Sequence, residues 1–283
     1  MKLVRYGPAG YERPGMIDRS GRIRDLSAHT RDIDRAAISP AGLAYLAAID
    51  PMSLPEVPES RRLGVPVADT GQFIAVGTNF ADHATESNLP IPSEPILFLK
   101  APSCLSGPND PVMLPKDSTK TDWEVELGVV IGSTARHVSQ AGALACVAGY
   151  CIVNDISERE YQFERGGTWD KGKGCETFGP VGPWLVTADE VSEPQNLDMW
   201  LNVNDQRRQT GNTRTMIFGV AALISYVSRF MTLRAGDILT TGTPPGVGMG
   251  IKPVPIFLEP GDFLELGIAG LGVQRQNVIA WQE

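Results

Sequence analysis

The sequence predicts an α+β fold rich in β-strands. Short runs dense in Val, Ile and aromatic residues recur along the chain and are bounded by Gly, Pro, Asn or Asp, as strands and turns are. Helical spacing of apolar residues is confined to a few segments, the longest over 216–231 (Ile217, Val220, Leu223, Ile224, Val227, Phe230). The glycine-rich stretch Gly242–Gly250 would suit a dinucleotide fold only if it opened a helix, and Lys252-Pro253-Val254-Pro255 follows it instead.

In chain order, residues 1–65 read as a small leading α/β module. Lys2–Tyr6 and Gly21–Leu26 are short strands. Ser39 and Pro40 then open a helix over 41–49, Ser39 as N-cap and Pro40 at the first helical position. A Pro-punctuated linker follows over 51–58. His29 stands alone there and reads as a surface or packing residue. The larger region, 66–283, carries strands over 72–77, 95–100, 121–132, 149–155, 184–187, 199–203, 238–241, 257–258, 263–268 and 273–280. Its helices are a short one after Asn79, a small-residue helix over 138–148 capped by Ser139, one over 157–163, and the apolar helix over 216–231.

A length of 283 residues suits one large domain, or a large one with a small companion. Hydrophobic content of 42% and charged content of 20% are those of a soluble globular protein. A net charge of −8 argues against nucleic acid or an anionic membrane as partner. No apolar run approaches the ~20 residues that span a bilayer, and Met1–Tyr6 is too short and polar for a signal peptide. The four cysteines show no Cys-x-x-Cys spacing and read as free thiols of a cytoplasmic protein, each most simply a small buried hydrophobe.

The strand over 121–132 organises the chemistry. Side chains two apart on a strand share a face, so Glu124 and Glu126 lie side by side, with Trp123, Val125 and Leu127 opposite. Adjacent carboxylates at a buried strand repel unless a proton, a Lys or Arg, or a metal lies between them. A hard divalent ion such as Mg²⁺ or Mn²⁺ suits such oxygens. The strand over 149–155 delivers Asp155 at its end, where sites collect, although Asp155 could equally cap the helix that follows. If the segment after Asn79 is helical, His83 and Glu86 share a face, and a carboxylate beside an imidazole supports general-base work on water. An exposed helical pair is the plain alternative. The stretch Asn88–Pro92 fits a lid. The loop over 164–180 carries Lys171 and Lys173, either of which could set a cation near a bound anion or simply lie solvated. The loop after Thr241 offers amides and the Thr243 hydroxyl to a small anion.

Five motifs occur in order: Thr78-Asn79-Phe80-Ala81-Asp82-His83-Ala84-Thr85-Glu86; Trp123-Glu124-Val125-Glu126-Leu127; Asn154-Asp155 with Arg159 and Gln162; Gly172-Lys173 through Phe178-Gly179-Pro180; and Thr241-Gly242-Thr243-Pro244-Pro245-Gly246. Together they resemble the fumarylacetoacetate hydrolase family, from about residue 70 to the end. The resemblance implies a mixed β-roll, a homodimer, and Mg²⁺ or Mn²⁺ held by Glu124, Glu126 and Asp155. It implies a lid bearing His83 and Glu86, and substrate contacts from Arg159, Gln162, Lys173 and Thr243. Where many relatives have Ser-Phe-Asp after the loop lysine, this chain has Gly174-Cys175-Glu176. Residues 164–175 look like the subgroup acting on 2,4-diketo-3-deoxy-L-rhamnonate or -fuconate, whose members are often labelled ureidoglycolate lyase.

The expected activity is cleavage of the C3–C4 bond of a small-molecule 2,4-diketo acid to pyruvate and a second acid, lactate for the deoxy-sugar substrates. His83, oriented by Glu86, would act as base toward water, and Lys173 would stabilise the leaving enolate. Oxaloacetate decarboxylation, keto–enol isomerisation and a ureidoglycolate lyase reaction are alternatives on the same site. A metal-stabilised binding protein is the non-enzymatic one, and a lid dyad would be of no use to it.

Overall fold

The computed structural model describes residues 1–58, 61–82 and 91–283. Val125–Ile131 and Val147–Asn154 are buried at every position, as strands covered on both faces must be. They pair antiparallel at the centre of a ten-stranded sheet. Edge to edge, that sheet runs Ile23–Asp25, Arg13–Ile17, Lys2–Tyr6, Gly179–Thr187, Val147–Asn154, Val125–Ile131, Ile238–Thr240, Phe73–Gly77 and Ile96–Lys100, with Leu105–Ser106 alongside Gly179–Thr187. The leading segment therefore continues the large sheet through Leu3, which pairs with Leu185.

A five-stranded sheet, Gln206–Asn212, Asp198–Val203, Phe263–Ile268, Gly272–Ile279 and Val112–Met113, packs its second and third strands against Val125–Ile131. Leu127, Val129, Ile152, Leu201, Leu264 and Leu266 belong to one core between the sheets. Each such burial stabilises by about 1.5–3 kcal/mol. Buried amides cross the same interface. Asn154 Nδ2 donates to Gln276 Oε1 at 3.1 Å, and Gln274 Nε2 donates to the Ile152 carbonyl at 2.8 Å. Paired in this way, they join the sheets without leaving unsatisfied polar groups. The fold is α+β and strand-rich, as the sequence predicts.

The differences from the sequence reading have local causes. The strand expected over 121–132 is two strands. Thr121–Asp122 pairs with Ser157–Glu158 in a separate ribbon, and Val125–Ile131 joins the large sheet. The chain changes sheets at Glu124, whose N–H is taken by Asn154 Oδ1 (3.2 Å) and whose carbonyl accepts from Asp155 N (2.9 Å). The helix expected over 138–148 covers only Gln140–Ala143 before a short turn, because Val147 onward is claimed by the sheet. Ser139 caps it as expected. The apolar helix covers Val220–Val227. Upstream, the N–H groups of Ile217 and Phe218 are bonded by Asn79 instead, and Phe230 is left exposed. Ser39 and Pro40 open the helix Pro40–Ala47 as anticipated. Residues 257–258 form no strand, although Leu258 N bonds Thr121 O. The polar stretch Gln206–Asn212, not read as a strand, is one, because Gln209 and Asn212 turn inward to partners.

Candidate active site

Three elements converge on one end of the large sheet. Glu124 lies at the sheet crossover, Glu126 on Val125–Ile131, and Asp155 just past Val147–Asn154. Their carboxylate oxygens lie within 4.8 Å of one another and all three residues are buried. Three carboxylates in so small a volume repel strongly, and the surrounding residues compensate two of them. Lys173 Nζ bridges Glu124 Oε2 (2.8 Å) and Asp155 Oδ2 (2.7 Å). Lys100 Nζ holds Asp155 Oδ1 at 2.6 Å and donates to the Lys173 carbonyl at 2.5 Å. Arg159 Nη2 spans Asp122 (2.9 Å) and Glu124 Oε1 (2.7 Å).

Burial pushes the Glu124 carboxyl up, but the adjacent Lys173 and Arg159 outweigh it and hold the group well below the usual carboxylate range. Burial would lower Lys173, and Asp155 and Glu124 reverse that and raise it, so the ammonium stays charged. Glu126 is the exception. Its Oε2 accepts from Thr240 Oγ1 (2.5 Å) and Gly242 N (2.8 Å), and among the described residues it has no ion-pair partner. Burial, Asp155 and Glu124 push it well above the ordinary value. An all-oxygen donor set, short of one positive charge beside Glu126, fits a hard divalent cation.

Local sequence explains how these groups are held. Lys173 ends the helix Asp170–Lys173, which packs on the neighbouring helix through Gly172. A Cβ there would lie 2.4 Å from Glu158 O and 2.7 Å from Gln162 N. Asp122 accepts from the N–H groups of Gly248 (2.6 Å) and Met249 (2.9 Å) and from Arg159, which ties the glycine-rich loop to the site. Glu158, not Asp155, caps the helix Arg159–Phe163, so Asp155 is free for the carboxylate cluster.

Of the residues singled out in the sequence, Glu124, Glu126, Asp155, Lys173, Arg159, Gln162 and Thr243 are brought together. Gln162 Oε1 accepts from Arg159 Nη1 at 3.0 Å. Thr243 lines the cavity, yet its hydroxyl donates to Val125 O (2.9 Å) and accepts from Gln209 Nε2 (2.8 Å), so its proton is directed to the backbone. Lys171 is exposed and donates to Arg165 O, away from the cluster. His83 and Glu86 lie outside the described residues. Lys100, Asp122 and Gln209 were not singled out. Lys100 had a signal, a lysine closing an apolar strand; Gln209 had none, because a buried glutamine in a polar stretch looks like loop.

Above the carboxylates opens a cavity of about 500 Å³. Glu124, Glu126, Arg159, Gln162, Lys173 and Thr243 form its floor, and Ile96, Phe98, Phe163, Trp169 and Met249 its wall. Lys173 Nζ lies 5.1 Å from the Phe98 ring centroid, where floor and wall meet.

The model of the fumarylacetoacetate (FAA) hydrolase C-terminal region matches residues 72–279. The chain belongs to the fumarylacetoacetate hydrolase family. Over 277 residues, 98% of each chain, it is 60% identical to a Burkholderia lata protein provisionally named a hydrolase. Its fold superposes on fumarylacetoacetate hydrolase from Exiguobacterium antarcticum with a TM-score of 0.89 at 35% identity, covering 99% of this chain and 100% of that one. Maleylpyruvate hydrolase from Sphingobium sp. SYK-6, solved with manganese(II) and pyruvate, gives 0.81 at 33% with full coverage of both chains. A 2-hydroxyhepta-2,4-diene-1,7-dioate isomerase from Mycobacterium marinum gives 0.74 at 30%, again with full coverage of both. Among the described residues, no helix is long and apolar enough to cross a membrane.

Proposed function

We propose that this family member is a divalent-metal-dependent hydrolase that cleaves the C3–C4 bond of a 2,4-diketo acid and releases pyruvate. The observation that carries this reading is the convergence of Glu124, Glu126 and Asp155, with Lys173 among them, at the floor of a cavity large enough for a small organic acid. The manganese and pyruvate in the Sphingobium relative support it.

Glu124, Glu126 and Asp155 would hold Mg²⁺ or Mn²⁺, which when bound supplies Lewis-acid polarisation of the 2-oxo acid. Arg159 and Gln162 orient the substrate carboxylate. His83, oriented by Glu86, takes a proton from water as its oxygen bonds to C4. The C3–C4 bond breaks and its electron pair passes to C3 as the enolate of pyruvate. Lys173 Nζ, buried and kept charged by its neighbours, stabilises the enolate oxygen. Protonation at C3 completes pyruvate, and the C4 fragment leaves as a carboxylic acid. Within this class, the resemblance of residues 164–175 points to the deoxy-sugar diketo acids. We also propose a homodimer in the cytoplasm.

The test is pyruvate release from acetylpyruvate and 2,4-diketo-3-deoxy-L-rhamnonate with added Mg²⁺ or Mn²⁺, with and without EDTA. EDTA-sensitive release is expected. A second reading, keto–enol isomerisation, draws on the Mycobacterium marinum relative and uses the same floor without an attacking water. Proton exchange at C3 with no pyruvate release would favour it and remove His83 from its assigned role.

A further inference from the structure

The floor accounts for the pyruvyl half of a 2,4-diketo acid and leaves the other half to the wall. Phe98 and Trp169 pack with ring centroids 5.3 Å apart, and Phe163 meets Trp169 edge-on at 5.8 Å. Trp169 lies against the backbone at Gly77, where a Cβ would come within 2.4 Å of its ring. A residue without a side chain thus fixes the ring's position. At the rim, Phe163 is 46% exposed and Ile96 40% exposed, so apolar surface is left open beside the cavity. The cations among the described lining residues are Arg159 and Lys173, and each is already ion-paired at the floor. A carboxylate on the distal half of a substrate would meet no free cation among the described residues of the wall.

On the reading that the floor anchors a 2-oxo acid, we propose that the distal group is uncharged and presents mainly apolar surface to the wall, and that Phe98, Phe163 and Trp169 select it. Aromatic faces and edges receive such groups well, and each methylene moved out of water onto them is worth about fourfold in affinity. Outside the floor, Thr78 and Trp169 are the described lining residues whose side chains carry a hydrogen-bonding group, so the cavity offers few partners to a distal half rich in hydroxyls.

Binding and cleavage are measured separately. The Mn²⁺-loaded protein is titrated calorimetrically with pyruvate, 2-oxohexanoate, 2-oxooctanoate, phenylpyruvate and, as charged control, 2-oxoglutarate. Affinity is expected to rise about fourfold per added methylene until the wall is covered, with 2-oxoglutarate no tighter than pyruvate. In Phe163→Ala and Trp169→Ala the ratio of 2-oxooctanoate to pyruvate affinity falls about tenfold. Because each variant is read as a ratio of two ligands, a misfolded fraction cancels. A flat series in the wild type, or an unchanged ratio in both variants, overturns the assignment of the wall and leaves the anchoring floor intact. A rising series together with failure to cleave both acetylpyruvate and hexanoylpyruvate upholds the apolar wall and removes the hydrolase reading. Failure of pyruvate itself to bind removes the anchor and the proposal with it.

Discussion

The floor and the wall of the cavity are built on opposite principles. On the floor each of the three carboxylates is held by two groups: Asp155 by two lysines, Glu124 by Lys173 and Arg159, Glu126 by Thr240 and a backbone N–H. These bonds reach into the central strands, so the positions are set by the fold itself. The wall turns on Trp169, which sits against Gly77 and carries Phe98 and Phe163 on its ring, with Phe163 and Ile96 open to solvent at the rim. Removing one member of the floor leaves an uncompensated buried charge; removing one member of the wall leaves room. The floor is thus suited to carry out one reaction and the wall to choose among substrates.

Disruption should follow this division, the largest effects coming from the floor. Lys100→Met removes one of the two lysines on Asp155 and is expected to cost about 1.5–3 kcal/mol in urea unfolding, the usual worth of a hydrogen bond to a charged group. Stability within about 1 kcal/mol of wild type would mean that the Lys100–Asp155 pair contributes little. Lys173→Met should lower kcat by ~10²–10³ in pyruvate release, the usual worth of one electrostatic donor to a developing anion. Unchanged kcat with raised KM would reduce Lys173 to a binding role. His83→Ala is expected to lower kcat by ~10²–10⁴ with Mn²⁺ affinity unchanged, and wild-type turnover would exclude it as the base. Gly77→Ala forces the Trp169 ring aside and should cost about 1–3 kcal/mol of stability by overpacking. It should also narrow the preference for long 2-oxo acids, with Mn²⁺ affinity kept. Loss of Mn²⁺ affinity in that variant would show that floor and wall are not independent.

The two regions also differed in how far they could be read from the sequence. The carboxylates of the floor were legible because period-two spacing places Glu124 and Glu126 together, and because Asp155 ends an apolar run. Even the sheet crossover at Glu124 did not upset that reading, since both glutamates still reach one cavity. The supports were less legible. Lys100 and Asp122 act through partners distant in sequence, and Gln209 reaches Thr243 from a stretch whose polarity signals solvent. Residues such as Trp169 and Phe163 are apolar groups on a loop and a short helix, and only their edge-on contact, with Trp169 seated against Gly77, makes a wall of them. Helix ends were misplaced for the same reason. At Val147 and at Ile217, long-range pairing overrides the local pattern.

The central claim is that the floor is a divalent-metal site completed by Glu126. Calorimetric titration of Mn²⁺ into the wild type and into Glu126→Gln tests it most directly. The account predicts one tight site per chain, weakened in the variant by more than the roughly 10–100-fold that loss of an outer partner costs. No binding to the wild type, or equal affinity in both proteins, would contradict it.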